Sequence, residues 1–281
     1  GDPLNANHPR YDADTSQVLV SDVRIKRTIR DQWLRDGLPV FVDGEPKTLK
    51  TRIQELKKDF NVDTGKEALG KCIDTKVFGV TFALGKESFS WTGPVQFKWG
   101  RSLHQCKVEL VQGTAAFATK EESEQRSFRN EYIVPFVLLG VYGIANQYPS
   151  QETGATEEDI EQVAQGLWQG TTNLITRSKV GHMPRLLVEV IYQEGFSGAV
   201  GALDDKMGIF SPDGRSLSVD EQFSIRSSQD FLLDISGVVE SLEPLKEEIE
   251  TIKLWSDDEL NIKGIENMGK IFGDRLVQQK R

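Results

Sequence analysis

VSDVRIKRTIRDQWLR, at residues 20–35, carries three apolar side chains at the spacing of one face of an α-helix. Ile25, Ile29 and Trp33 recur every four positions, so they share one stripe that can turn toward a core. We therefore predict a helix over residues 21–35. Its basic residues fall mostly off that stripe: Arg24, Lys26, Arg27, Arg30 and Arg35.

The segment before this helix is rich in turn-forming residues and opens with GDPLNANHPR, residues 1–10. Backbone N–H groups at the start of a helix attract phosphate oxygens, and arginine donates forked hydrogen bonds that fit them. Such contacts position a nucleic acid without reading its bases. The loop and the helix are therefore a candidate nucleic-acid surface. The alternative is an ordinary solvated face of an amphipathic helix.

Charge is distributed unevenly along the 281 residues, whose net charge is -9. Residues 1–111 hold 18 Lys and Arg against 15 Asp and Glu, whereas residues 112–281 hold 16 against 28. Attraction to a polyanion is local, because charges are screened over about 8 Å at physiological salt. An acidic chain can therefore still present a basic groove, and its acidic remainder discourages indiscriminate binding.

Cysteine usage and hydropathy place limits on the compartment. Cys72 and Cys106 form no Cys-x-x-Cys motif, which fits a reducing cytoplasm. The longest apolar run, residues 132–145, is too short to span a bilayer and is interrupted by Pro135. We expect a soluble, cytoplasmic protein with no membrane partner.

Enzyme motifs are not recognisable in the sequence. GKE at residues 65–67 lacks the glycine spacing and the following Ser or Thr of a phosphate-binding P-loop. His8, His104 and His182 have no partner at metal-ligand spacing. We therefore predict no catalytic residue, no metal and no cofactor.

Four aspartates, Asp2, Asp12, Asp14 and Asp22, lie near the predicted nucleic-acid path. Paired carboxylates can hold a divalent ion that cleaves a phosphodiester bond. Aspartate more commonly forms turns and caps helices. A metal-dependent nuclease is therefore the alternative to a binding protein.

Further patterns predict the order of secondary structure. The expected elements are a strand at 77–82, extended structure at 93–111, a hairpin tip at 112–131, a strand at 132–146, a helix after a capping box at 156–159, a basic loop at 176–182 and a strand at 186–192. This order predicts an α+β fold, and one further strand at its start would complete an RNA-recognition-motif (ferredoxin-like) antiparallel sheet with helices on one face.

Additions to that sheet complete a single predicted domain. They are a helical insertion at 37–74, a protruding β-hairpin at 107–131 and an acidic C-terminal extension at 196–281. Within the extension we expect a hairpin around residues 211–215 and an acidic helix that buries Leu245, Ile249 and Ile252. The last helix is expected to be capped at residues 256–259.

Five sequence blocks, in order, carry a resemblance to a known family. The blocks are GDPLN with Pro9-Arg10 and VSDVxIKRxIRD at 20–31; DxxxFG at 74–79; GPVQF at 93–97 with GRS at 100–102; YIVP at 132–135; and LWxGT at 167–171 with TRSKxG at 176–181. Together they resemble the Cas7 family, the backbone subunits of antiviral CRISPR-associated Cascade complexes, most closely those of subtype I-B (Csh/Csd-like).

The resemblance implies a palm of the RNA-recognition-motif kind with a protruding thumb hairpin. Such proteins usually begin with a short apolar strand and an Asn-Pro-Asn sequence before the Gly-Asp-Pro. This sequence starts at Gly1, so we expect the first strand of the palm to be missing from it.

The resemblance also implies which residues grip a guide RNA (crRNA) by its backbone. They are Asn5, Asn7, His8 and Arg10 on the first loop; Arg24, Lys26, Arg27 and Arg30 on the first helix; Gln96, Lys98, Arg101 and Ser102; and Arg177, Ser178 and Lys179. The hairpin at 107–131 corresponds to the thumb, which reaches the neighbouring subunit. Phe117 or Phe128 there either wedges against a base or packs on that neighbour.

The function implied is that of a non-catalytic subunit of a type I complex. Copies stack head to tail into a helical filament along the guide RNA, beside other Cascade subunits, and target DNA is recognised by base pairing to the guide. Two alternatives stay open: an RNA endonuclease of the type III kind on the same fold, and a generic RNA-recognition-motif protein that stacks bases on aromatic side chains.

Overall fold

The structure is a computed structural model that describes residues 1–5, 7–114 and 128–279. Within these ranges the chain is a mixed α+β protein of short strands and helices. Phe117, one of the two predicted thumb residues, lies outside the described residues. In the described part of the chain, no helix combines the length and the apolar character needed to cross a bilayer.

The described residues form nine α-helices. They are α1 Asp22–Arg35, α2 Leu49–Phe60, α3 Gly65–Gly70, α4 Ile73–Phe78, α5 Gln147–Thr153, α6 Glu157–Thr172, α7 Val219–Ser224, α8 Ser236–Leu242 and α9 Ile265–Phe272. Short 3-10 helices lie at Leu203–Lys206, Glu243–Glu248 and Gly273–Arg275.

Strands of the described residues form several small sheets. In chain order they are β1 Tyr11–Asp12, β2 Gln17–Val20, β3 Gly79–Leu84, β4 Glu87–Thr92, β5 Val95–Phe97, β6 Gly100–Ser102, β7 Glu109–Thr114, β8 Phe128–Ile133, β9 Leu139–Gly140, β10 Gly143–Ala145, β11 Leu186–Tyr192, β12 Gly208–Phe210, β13 Leu232–Asp234, β14 Ile249–Ser256, β15 Ile262–Lys263 and β16 Leu276–Gln278. The sheets have the orders β1-β2-β6-β9, β10-β5, β11-β14-β16, β12-β13-β15, β3-β4 and β7-β8.

Two helices, α1 and α6, pack directly on each other. The predicted stripe of α1 is buried, and the indole of Trp33 donates a hydrogen bond across to the Gln162 carbonyl of α6 at 3.0 Å. Glycines permit this close approach, since a Cβ at Gly166 would lie 2.9 Å from Ile29, and one at Gly170 would lie 2.7 Å from a backbone oxygen of α1. The structure confirms both helices, including the capping box at the start of α6.

The C-terminal region differs from its prediction. Residues expected as an acidic helix form the strand β14, which pairs antiparallel with β11 and parallel with β16. The spacing of Leu245, Ile249 and Ile252 fits a helix, but Ile252 and Leu254 also alternate as on a strand. Pairing with β11 and β16 selects the strand, because it leaves Ile249, Ile252 and Leu254 fully buried.

Three further local predictions are corrected. Residues 211–215 form a tight turn, but the strand before it, β12, pairs with β13 rather than with a strand just after the turn. Residues 256–259 do not cap a helix, and α9 begins only at Ile265. The strand predicted at 77–82 starts at Gly79, because its first residues complete α4 and Gly79 ends that helix with a φ of 82°.

A hairpin is present where the thumb is expected, as far as its two strands are described. The strands β7 and β8 pair antiparallel from Glu109–Ile133 to Thr114–Phe128 and form a two-stranded sheet of their own. The described residues form six small sheets, the largest of which is β1-β2-β6-β9, and not one continuous antiparallel sheet. The mixed α+β class is therefore established, whereas the RNA-recognition-motif arrangement and the domain boundaries stay predictions.

Candidate nucleic-acid interface

The amino end of α1 meets the basic loop at residues 176–182. Ser21 caps the helix by accepting a hydrogen bond from the backbone N–H of Arg24 at 3.3 Å, which places Arg24 in the first turn. A turn in the loop, in which the His182 N–H donates to the Lys179 carbonyl at 3.2 Å, holds those two residues together. The three side chains, which we call the Arg24 cluster, are close enough to interact electrostatically.

The positive charges of the Arg24 cluster are only partly offset, by the Asp31 carboxylate that acts on Arg24. One terminal nitrogen of Arg24, Nη2, is buried and has no hydrogen-bond partner. Burial and then the charge of Arg24 lower the pKa of Lys179. Burial and then the charges of Lys179 and Arg24 lower the pKa of His182, although its side chain reaches solvent. The cluster is therefore a site where an anion would relieve both desolvation and repulsion.

The first loop places Arg10 close to the same cluster. Arg10, Arg24 and Lys179 all act electrostatically on the Gly1 nitrogen. The guanidinium of Arg10 also lies 4.9 Å from the ring centroid of Trp99, which is 46% exposed. Sequence reasoning missed Trp99, and only the alternation of aromatic and basic residues at 97–101 could have indicated it.

Asn5, Asn7 and His8 contribute to the structure around the first loop. The Asn5 amide donates to the Asp2 carboxylate at 2.7 Å, and Asn7 has a φ of 62°, a conformation that asparagine tolerates well. The His8 ring packs at a tilt against the ring of Tyr132 on β8, with the ring centroids 4.8 Å apart. Tyr132, which the sequence did not single out as a site residue, lines a shallow hollow together with Leu4, Asn5 and His8.

Lys26 and Gln96, both predicted to contact RNA, lie within hydrogen-bond distance of each other. The ammonium of Lys26 donates to the Gln96 side-chain oxygen at 3.0 Å and lies 3.8 Å from the Asp22 carboxylate. Burial lowers the pKa of Lys26, against the opposing effect of Asp22. Lys26 is thus a partly desolvated cation with one neighbouring carboxylate.

Arg27 and Arg30 on α1 are engaged inside the protein. Arg27 pairs with Asp31 one turn later and donates to the carbonyls of Val42 and Asp43 at 2.9 and 3.2 Å. Arg30 donates to the Asp74 carboxylate at 2.8 Å. These contacts tie the helix to the segment that follows it and favour a structural role for both arginines.

The Asp74 carboxylate that binds Arg30 is fully buried. It also accepts the backbone N–H groups of Phe41 and Val42 at 2.7 and 3.1 Å. These three hydrogen bonds connect α1, the segment after it and α4 in the protein interior. The Arg30–Asp74 pair is therefore part of the internal packing and not a ligand-binding surface.

Other predicted cations form ion pairs. Arg101 lies 2.8 Å from Asp12 and Arg177 pairs with Glu131, both at the surface, whereas Lys98 lies 3.1 Å from Asp205 and 2.9 Å from the buried Asp204 carboxylate. Exposed pairs such as the first two are weak and open readily in favour of a phosphate. The Ser178 hydroxyl accepts from Lys179 at 3.1 Å.

Ser102 is buried and structural. Its hydroxyl donates to the His104 carbonyl at 2.7 Å and accepts the Val18 N–H at 3.1 Å, which closes the edge between β2 and β6. A buried hydroxyl with both roles satisfied has little capacity for a further ligand.

Two of the aspartates considered for metal binding form turns and surface pairs. Asp2 accepts the Leu4 N–H at 3.0 Å, and Asp12 accepts the Asp14 N–H at 3.1 Å and pairs with Arg101. Across residues 1–5, 7–114 and 128–279, no group of three or more His, Cys, Asp or Glu side chains could hold a metal ion. The geometry favours capping roles for these carboxylates.

Comparisons with known proteins agree with the sequence blocks. A family model described as CRISPR-associated protein Cas7 matches residues 1–235. A CRISPR-associated protein Cas7 of Haloferax volcanii is 29% identical over an alignment of 293 positions, which covers 93% of this chain and 84% of the relative.

The chain also shows a limited similarity to two solved structures. A chain of a CRISPR RNA-guided surveillance complex is 13% identical, with a TM-score of 0.47, over 88% of this chain and 82% of its own. A chain of a CRISPR RNA-guided surveillance complex, pre-nicking, is 12% identical, with a TM-score of 0.49, over 91% of this chain and 92% of its own.

Proposed function

The chain belongs to the CRISPR-associated protein Cas7 family, and from this premise we propose that it is a non-catalytic subunit that binds a guide RNA by its backbone. The observation that carries the proposal is the Arg24 cluster, with its buried, unpartnered arginine nitrogen. Phosphate contacts of this kind accept any base sequence. A guide RNA with variable sequence needs that tolerance, since base pairing supplies the specificity.

Several predicted residues extend the cluster into a groove. Arg10 precedes Arg24 in the sequence and Lys26 follows it. Trp99 offers an exposed aromatic face beside Arg10. Combined cations and aromatic faces suit a single strand, because the strand exposes both phosphates and bases. We therefore place the RNA path along the first loop, the amino end of α1 and the loop at 176–182.

The thumb hairpin supports the proposal of a head-to-tail neighbour. Leu110, Val111, Tyr132 and Ile133 are exposed on the two-stranded β7–β8 sheet. Exposed apolar side chains on a protruding hairpin fit burial against another copy of the chain. In such a filament, the guide would be presented to a target DNA strand beside other subunits of a type I complex of subtype I-B.

The second candidate function is that of a type III-like RNA endonuclease. A single experiment distinguishes it from the non-catalytic binding function. The full chain is co-expressed with a CRISPR array, purified, and its bound RNA is extracted and sequenced. We expect uniform guide RNAs, and no cutting when complementary RNA and magnesium are added. Magnesium-dependent cuts at regular spacing would support the endonuclease instead.

A charge-reversed variant ties RNA retention to the proposed site. Arg24→Glu combined with Lys179→Glu should abolish RNA retention, because it turns two cations of the cluster into anions. Two reversals on exposed residues of the acidic C-terminal part, Lys263→Glu and Lys270→Glu, change the net charge equally and should leave retention intact. Equal loss in both double variants would show that overall charge, not this site, holds the RNA.

A further inference from the structure

His182 belongs to the Arg24 cluster although the sequence patterns did not assign it a role. The turn at 179–182 brings it to the side of Lys179, and both residues act electrostatically with Arg24 across from them. Its side chain reaches solvent, so a ligand can contact it. The charges that act on His182 are those of Lys179 and Arg24, and the Asp31 carboxylate acts in turn on Arg24.

The donors in the cluster match one phosphodiester group. Arginine supplies a forked pair of N–H donors, lysine a point charge, and a protonated imidazole a further N–H. The unpartnered Nη2 of Arg24 shows that one of these donors lacks a partner in the free protein. The amino end of α1, where Arg24 lies, adds the positive end of the helix dipole.

We propose that Arg24, Lys179 and His182 form a single site for one phosphodiester of the RNA, in which His182 binds in its protonated form. The proposal rests on the RNA-binding function proposed above and adds a specific ligand and a proton to it. RNA binding is then coupled to proton uptake at His182.

The sign of the pH dependence follows from the two states of His182. In the free protein, burial and the charges of Lys179 and Arg24 hold its pKa below the ordinary imidazole value. A bound phosphodiester brings a negative charge and raises that pKa. Between the two values the bound state holds one more proton than the free state. Affinity for RNA should therefore fall as pH rises, by up to about tenfold per pH unit.

Other charges near the cluster do not supply this dependence. Asp31 and Arg27 act on Arg24 in opposite senses, and Arg10 lies near enough to act on the same Gly1 nitrogen as Lys179 and Arg24. Arginine does not titrate near neutrality, and any contribution of another group is the same in wild type and in a His182 variant. Comparison of the two therefore isolates His182.

The test measures binding of a fluorescein-labelled single-stranded RNA of mixed sequence to the full chain, freed of RNA, from about pH 5.5 to about pH 8. Wild type should weaken steadily as pH rises. His182→Gln should bind weakly and show a flattened profile, whereas His182→Lys should bind tightly at every pH because its charge is permanent. His8→Gln removes the histidine of the first loop, and whatever its effect on affinity, the slope with pH should remain.

The outcomes separate this inference from the proposed function. RNA binding with the same pH slope in wild type and His182→Gln overturns the inference alone. Loss of the slope in His8→Gln but not in His182→Gln also overturns it. No RNA binding by wild type at any pH overturns the proposed function and the inference together.

Discussion

Arg30 and Arg24 lie on the same helix, but the structure uses them in opposite ways. Arg30 is neutralised by the buried carboxylate of Asp74 at 2.8 Å. Arg24 has a buried nitrogen with no partner and lies beside two further basic side chains. The first arrangement contributes to the folded state, whereas the second costs stability until an anion arrives. The sign of a charge therefore does not assign its role; its partners do.

Removing the Asp74 partner of Arg30 should give the largest change in the free energy of unfolding. Asp74→Ala removes the acceptor of the Arg30 guanidinium and of the N–H groups of Phe41 and Val42. Breaking a buried pair by removing one partner should lower the free energy of unfolding by about 3–5 kcal/mol, measured by urea denaturation. RNA affinity of the folded protein should be unchanged.

A carboxylate from a surface pair provides the control for Asp74. Asp12→Ala also removes an acceptor from an arginine, Arg101, but that pair is exposed to solvent. We expect little loss of stability there. Equal losses for the two variants would remove the distinction between the internal and the surface pairs.

Substitution of two arginines of α1, one at a time, compares an effect on RNA affinity with an effect on protein stability. Arg24→Gln and Arg27→Gln each remove one charge from the same helix, three residues apart. Arg24→Gln should weaken RNA binding about tenfold, or about 1.4 kcal/mol, and reduce the salt slope by about 0.7, with no loss of stability. Arg27→Gln should lose about 1–2 kcal/mol of stability, because three oxygen acceptors around Arg27 lose their donor.

Anisotropy titrations at several salt concentrations and urea denaturation measure both effects. The contrast between paired and unpaired cations is contradicted if Arg27→Gln weakens RNA binding more than Arg24→Gln does. It is also contradicted if the two variants lose the same stability.

Inorganic phosphate should give the smallest effect. At about five times its dissociation constant, an ion that binds only the folded state adds about 1 kcal/mol and raises Tm by about 2 °C. Wild type should show this rise above a chloride control of equal ionic strength, and Lys179→Gln should not. The same rise in both proteins would show that phosphate acts elsewhere on the chain.

Local patterns predicted the helices well because their signals are short-range. The stripe of Ile25, Ile29 and Trp33 is one face of α1, and the box at Thr156 and Asp159 starts α6 as expected. The stretch at 249–256 was assigned wrongly because its apolar positions fit both periodicities. Its partners β11 and β16, distant in sequence, supply the backbone hydrogen bonds that select a strand.

The amino-acid order alone determines three features: the family blocks, the set of basic residues and the helix that carries many of them. All three depend on residue type and on neighbours a few positions apart. Which of those cations is free cannot be read in this way. Asp74 reaches Arg30 from 44 residues away, and Lys179 and His182 join Arg24 from the other half of the chain. Folding alone brings such groups together, and neutralisation depends on distances that the order of residues does not contain.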